Sequence, residues 1–227
     1  MLIATSLAAA LYASHAFAAS GTAPGITAFT SVPPMIVDVV SAPDISASLV
    51  SSVLGETDAV WRGSGFTFVW RRATREVDPY ASGNEAGPYP AATLRVVIGN
   101  ETRPMRDGRL PLGWIRFDDA APGQEIYLSY ANVDRLMAVA QEVVGLLSQM
   151  PLKQREILSA RAMGRALAHE LGHYLLASKI HTEHGLMKAS RSARELFAAE
   201  SRGFQIDPLQ RRVMAVRLRR ESLVVSR

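Results

Sequence analysis

Apolar positions change their period once along this chain. Up to Tyr130 most of them fall in short runs rich in β-branched and aromatic residues; from Asn132 they recur three and four residues apart. Met35–Val40 (M-I-V-D-V-V), Phe66–Trp70 (F-T-F-V-W), Leu94–Ile98 (L-R-V-V-I), Gly113–Phe117 (G-W-I-R-F) and Glu125–Tyr130 (E-I-Y-L-S-Y) read as five strands. Such side chains suit a pleated, half-buried surface. Gly113–Phe117 alternates as an edge strand does. Between the first two strands, Ile45, Leu49, Val53 and Val60 recur at helical spacing. Ser41-Ala-Pro-Asp44 is a start signal for that helix, with Ser41 as cap and Pro43 in the first turn; Gly63-Ser-Gly65 stops it. Strand, helix, strand predicts a crossover joining two parallel strands. Arg71–Ala92 and Asn100–Leu112 are mostly polar and rich in glycine and proline, so they read as loops, and Asp118–Gly123 as a turn.

Past Asn132, Val133, Leu136, Ala140, Val143 and Leu147 mark an amphipathic helix that ends before Pro151. Leu152–Ala177 is a longer helix with an apolar stripe of Ile157, Ala160, Leu167, Leu171 and Leu175. Ala162 and Ala166 lie along it, either as spacers or as good helix formers. Ser190–Ser201 and Pro208–Arg220 predict two more helices.

The chain has 227 residues, 48% of them hydrophobic and 20% charged, enough to bury a sizeable core in one domain over residues 35–227. It has no cysteine, which excludes disulfides and thiolate metal ligands. Net charge is +4, with arginine crowded into the last helix. No aromatic residues interleave there, so a solvated face is expected and no nucleic-acid partner. Leu2–Ala13 is a largely apolar run followed by Ala16-Phe17-Ala18, a small-residue cleavage pattern. Residues 1–18 therefore read as a signal peptide cleaved after Ala18, and residues 19–34 as an extended lead-in. The expectation is an exported protein with no stable membrane insertion once the signal is gone. There is no serine-elbow motif, no phosphate-cradling glycine loop and no internal repeat.

The candidate chemistry sits in the longest helix and just after it. His169-Glu170-Leu171-Gly172-His173 is an H-E-x-x-H pattern, and on a helix residues i and i+4 share one face. Two imidazoles can therefore converge on one metal ion, with Glu170 beside them as general base toward a metal-bound water. Four of the five histidines (His169, His173, His181, His184) fall between Ala168 and Lys188. A catalytic zinc takes three protein ligands and keeps one open position. His181 and His184 are both candidates for the third.

This window resembles the active site of the metzincin zinc peptidases, whose helix motif is followed by a third histidine and a methionine turn; here His184-Gly-Leu-Met187 resembles that turn. Leu176 stands where the family has glycine, and Lys179 where it has the third histidine. The chain must therefore reverse near Ala177–Lys179. Three further residues at about 3.3 Å each return roughly 10 Å, which brings His181 alongside the helix. His181 also leaves His184–Met187 free to turn beneath the metal. The resemblance thus implies an α+β fold, a twisted mixed sheet of about five strands packed on long helices with a helical C-terminal part. Gly113–Phe117 would line a peptide cleft. It further implies Zn²⁺ held by His169, His173 and His181, peptide hydrolysis with Glu170 as base, and a peptide or protein substrate. Two other readings remain: a gluzincin-like site with Glu195 as third ligand, and a non-catalytic binding module in which zinc only staples the loop.

Overall fold

The structure is a computed structural model, and it describes residues 32, 34–73, 94–102 and 110–225. The expected signal peptide lies outside them. So do nearly all of the lead-in, most of the loop over 71–92 and the centre of the one over 100–112.

Among the described residues five strands form one mixed sheet, in the order β2-β1-β3-β5-β4. They are β1 (Met35–Ser41), β2 (Phe68–Arg72), β3 (Leu94–Gly99), β4 (Gly113–Asp118) and β5 (Ala121–Ser129). The pairs β1–β2, β1–β3 and β3–β5 are parallel, whereas β4 runs antiparallel to β5 and forms one edge. Val37, Val39, Leu94, Val96, Ile98, Ile126 and Leu128 alternate into a core shared with α1 (Ala47–Trp61) and α4 (Leu152–Leu176). The fold class expected from the sequence is the one observed, down to the edge position of Gly113–Phe117.

Helix α1 starts later than Ser41. That residue ends β1, paired with Ile98, so its backbone is committed to the ladder. The cap is Ser46, whose hydroxyl accepts from the Leu49 N–H. Strand β2 also starts two residues late, because Gly65 (φ 83°) and the bond from Phe66 N–H to Ser64 Oγ turn Phe66 into the core. There it meets the buried Trp61 edge-on at 5.7 Å, as Phe68 does. Such aromatic contacts contribute about 0.5–1.5 kcal/mol each beyond area burial. The turn expected over 118–123 tightens to Asp119 (φ 54°) and Ala120, since β5 already begins at Ala121.

The helix expected from 132 to 150 is broken into α2 (Tyr130–Val139), α3 (Gln141–Val144) and a 3-10 turn over Leu147–Gln149. Ala140 ends α2 and Gly145 (φ 89°) ends α3; Val133, Met137 and Val144 are buried in the core, while Val143 faces solvent. The helix expected over 190–201 shrinks to α5 (Ala193–Phe197). Its competitor is Arg165, fully buried on α4. The guanidinium pairs with Glu56 at 2.8 Å and donates to the carbonyls of Glu195, Leu196, Ala198 and Glu200. A buried cation must find acceptors, and two of those it takes, the Glu195 and Leu196 carbonyls, are ones that a helix running on to Ser201 would have used. The last helix, α6, runs over Pro208–Val225, past the expected end at Arg220.

Helix α4 buries more than a stripe. Leu158, Ala160, Ala162, Met163, Leu167, Ala168, Leu171 and Leu175 are all inside, and Ile157 is not. Its closest neighbour is α1: a Cβ on Gly164 would come within 2.8 Å of the Val53 carbonyl, while Thr57 Oγ1 donates to the Gly164 carbonyl at 3.1 Å. This crossing and the sheet beneath fix α4 rigidly, and with it everything the helix presents at its C-terminal end.

Candidate metal centre

Helix α4 ends at Leu176, and Ala177 adopts the left-handed conformation (φ 47°, ψ 47°), with its N–H bonded to the His173 and Tyr174 carbonyls. The reversal therefore falls where the return of His181 required it, on an alanine. The loop that follows closes on itself: Thr182 N–H donates to the Met187 carbonyl at 2.9 Å. Gly185 (φ 71°) makes the turn, and Leu186 N–H is anchored to the Gln205 carbonyl at 2.8 Å. Arg191 ties the Gly185 carbonyl to that of Gly203 and to Glu195.

The fold brings three histidines together. Nε2 of His173 lies 3.0 Å from Nε2 of His169 and 3.2 Å from Nε2 of His181, and the three ligand atoms all lie within 4.8 Å of one another. The His169 and His181 rings are stacked at 5.3 Å, with His173 edge-on to both. The other ring nitrogens decide the protonation. His169 Nδ1 is 2.8 Å from the Leu186 carbonyl, and His173 Nδ1 is 2.6 Å from the Ser178 carbonyl. A carbonyl only accepts, so both Nδ1 atoms carry the proton and both Nε2 atoms present lone pairs. Burial lowers all three histidine pKa values, that of His169 to about 4, which keeps the rings neutral near pH 7. Two lone pairs facing each other at 3.0 Å repel unless a cation sits between them. Tetrahedral donors at roughly 2.0–2.1 Å from zinc stand about 3.3 Å apart, close to the spacing seen here. The donor set thus fits a zinc ion.

Glu170 lies beside this cluster, only 9% exposed. Its carboxyl accepts from the Ile115 N–H of β4, and burial pushes its pKa up to about 8. Gly113 makes room on the same strand, where a Cβ would stand 3.3 Å from Glu170 Cγ and 2.9 Å from Leu128 Cδ2. The edge strand and the acid therefore meet directly. Further along β4, the Phe117 ring stands edge-on to His173 at 6.5 Å. Lys179 reaches over that ring to donate to the Asp119 carbonyl at 3.0 Å.

Gly172 marks the other side of the helix. A Cβ there would overlap Met187 Sδ, and Met187 is fully buried. Gly172→Ala should therefore destabilise the protein by about 1–3 kcal/mol despite the better helix propensity of alanine. It should also weaken metal binding, because Leu186, beside Met187, holds His169. Thermal unfolding and metal titration of this variant check both; unchanged values in each would show that the Met187 packing is slack.

No protein-family model matches this chain, and no curated protein matches it. Among solved structures it is similar to archaemetzincin from Methanopyrus kandleri, at 15% identity and a TM-score of 0.50. The match covers 86% of this chain and 99% of that one. The two share a fold.

The other candidates lie apart from the cluster. His184 is exposed, and its carbonyl accepts from Thr182 Oγ1. Glu195 completes a capping box on Ser192 and pairs with Lys188 and Arg191, and those bonds hold its carboxyl down at about 2. Sequence reasoning missed the Ser178 and Leu186 carbonyls that orient two of the histidines, the Ile115 N–H on Glu170, and Arg191, which braces the returning loop. Backbone groups leave no signature in a sequence. A glycine inside the helix motif was the one available sign of the close approach by Met187.

Proposed function

We propose that this protein is a zinc-dependent peptidase in which His169, His173 and His181 hold the metal and Glu170 moves the proton. The observation that carries the reading is the convergence of three neutral Nε2 atoms, two of them with tautomers locked by backbone carbonyls. When bound, zinc supplies a Lewis acid that polarises a carbonyl and lowers the pKa of water toward about 7. Glu170 accepts a proton from the attacking water and returns it to the leaving amine. A buried carboxyl whose pKa is raised is suited to carry a proton both ways near neutral pH. Strand β4 supplies the site for substrate: an extended peptide can add to an exposed sheet edge through main-chain hydrogen bonds. The fold shared with archaemetzincin supports the same reading.

Removal and return of the metal test it. Chelation should abolish hydrolysis of an unstructured protein such as casein, and zinc should restore it. The fold should survive chelation, since the core over β1–β5, α1 and α4 does not depend on the histidines. Zinc binding without hydrolysis of any peptide would instead fit a zinc-stapled binding module.

Export remains part of the proposal, on the strength of Ala16-Phe17-Ala18. The mature chain should begin at Ala19. N-terminal sequencing of protein recovered outside the cytoplasm checks it, and an intact Met1 on such protein would refute cleavage.

A further inference from the structure

Helix α6 has two apolar stripes, and the core uses only one. Met214 is fully buried and Leu218 packs partly against the core, while Arg217 donates to the Tyr174 carbonyl of α4 at 2.6 Å. Leu209, Val213 and Val216 form the second stripe. At i, i+4 and i+7 they share one line along the helix, and they are 68%, 48% and 49% exposed. Arg212, one residue before Val213 and four before Val216, is exposed beside that line, and Arg211 is exposed farther round the helix. Residues 208–220 hold five arginines and no acidic residue. A merely solvated face accounts for the arginines but has no use for three aliphatic side chains in a row.

We propose that this face of α6 docks the protein on an anionic phospholipid surface, lying in the interface and not crossing it. A helix with an apolar line and flanking arginines buries that line at the headgroup–acyl boundary, while guanidinium groups pair with anionic headgroups. Among the described residues no helix is long and apolar enough to cross a membrane. Nucleic acid matches the charge but offers nothing to the aliphatic line. A second copy of the chain would set arginine-rich surface against arginine-rich surface. The proposal stands independently of the peptidase reading.

Sedimentation of the full chain with phosphatidylcholine vesicles, with and without phosphatidylserine, tests it. The native chain should bind only the anionic vesicles, and added salt should weaken binding. Arg211→Glu/Arg212→Glu and Leu209→Ser/Val213→Ser should each lose about tenfold or more of that binding. These side chains are exposed, so both variants should unfold at the native temperature; hydrogen exchange of native α6 with and without vesicles gives a readout free of substitution. Four results would overturn the proposal. One is no binding to anionic vesicles. A second is binding that survives both double variants and therefore resides elsewhere, such as in the apolar run of residues 2–13. A third is binding of duplex DNA that the arginine variant loses and the apolar variant keeps, with no vesicle binding. The last is a concentration-dependent dimer that the apolar variant abolishes while vesicle binding is unaffected.

Discussion

Glu170→Gln should cost about 10²- to 10⁴-fold in peptide turnover, the range of a positioned general base, and leave zinc content near the native level. Glutamine has the same shape and can still accept from the Ile115 N–H, the partner that Glu170 has now. It carries no charge into a site only 9% exposed, so it adds no desolvation cost. What it lacks is the ability to take and return a proton. The pH profile should change with it. Activity needs the ionised base, so the native rate should rise with pH through the pKa of Glu170 and then level off. Burial, partly offset by the Ile115 N–H, sets that pKa at about 8, and a bound dication should move the limb lower. The limb should disappear in the glutamine variant. Native-like turnover at full zinc content would remove Glu170 from the mechanism.

His181→Ala should lower zinc affinity by more than about 100-fold, beyond the upper end for losing a supporting hydrogen bond. His184→Ala and Glu195→Ala should keep the metal. His181 Nε2 lies 3.2 Å from His173 Nε2, whereas His184 lies outside the three-histidine cluster and the Glu195 carboxylate is engaged by Ser192, Lys188 and Arg191. Zinc per chain after dialysis against a weak chelator decides the matter. An empty site in His184→Ala with a full one in His181→Ala would mean that the loop closes differently over the metal. Loss in Glu195→Ala alone would place the site with the glutamate-ligand peptidases. Protons compete for the same nitrogens, so zinc should be released as pH falls. The metal-free protein should respond in the same direction. The folded pKa of His169, about 4, lies below its ordinary 6.5, so the unfolded chain binds more protons between those values. That contribution to stability is present above about pH 6.5 and is lost as pH falls toward 4.

Much of this was legible before the fold was known. The β-branched runs placed four strands within two residues of their observed starts and the fifth within four, since β5 begins at Ala121 and not Glu125, and the change of period at Asn132 separated sheet from helices. The H-E-x-x-H spacing put two imidazoles on one helical face because 3.6 residues make a turn, whatever surrounds them. Chain reach alone admitted His181 as a partner. Where the reading failed, a long-range contact overrode a local pattern. Ser41 has the look of a cap, but Ile98, far along the chain, claims its backbone. The segment over 190–201 has helical periodicity, but Arg165 takes the Glu195 and Leu196 carbonyls.

Residue type and spacing over a few turns are enough to specify the helix that carries the histidines, the acid beside them and the strand set beneath. Which nitrogen of each ring faces the cluster, why His181 joins it and His184 does not, and how deeply Glu170 is buried all depend on contacts between distant segments. Each of these rests on backbone atoms brought in from elsewhere: the Ser178 and Leu186 carbonyls, the Ile115 N–H, and the Gln205 carbonyl that anchors the returning loop. Every residue carries the same backbone groups. Their placement is information that exists only once the chain has folded.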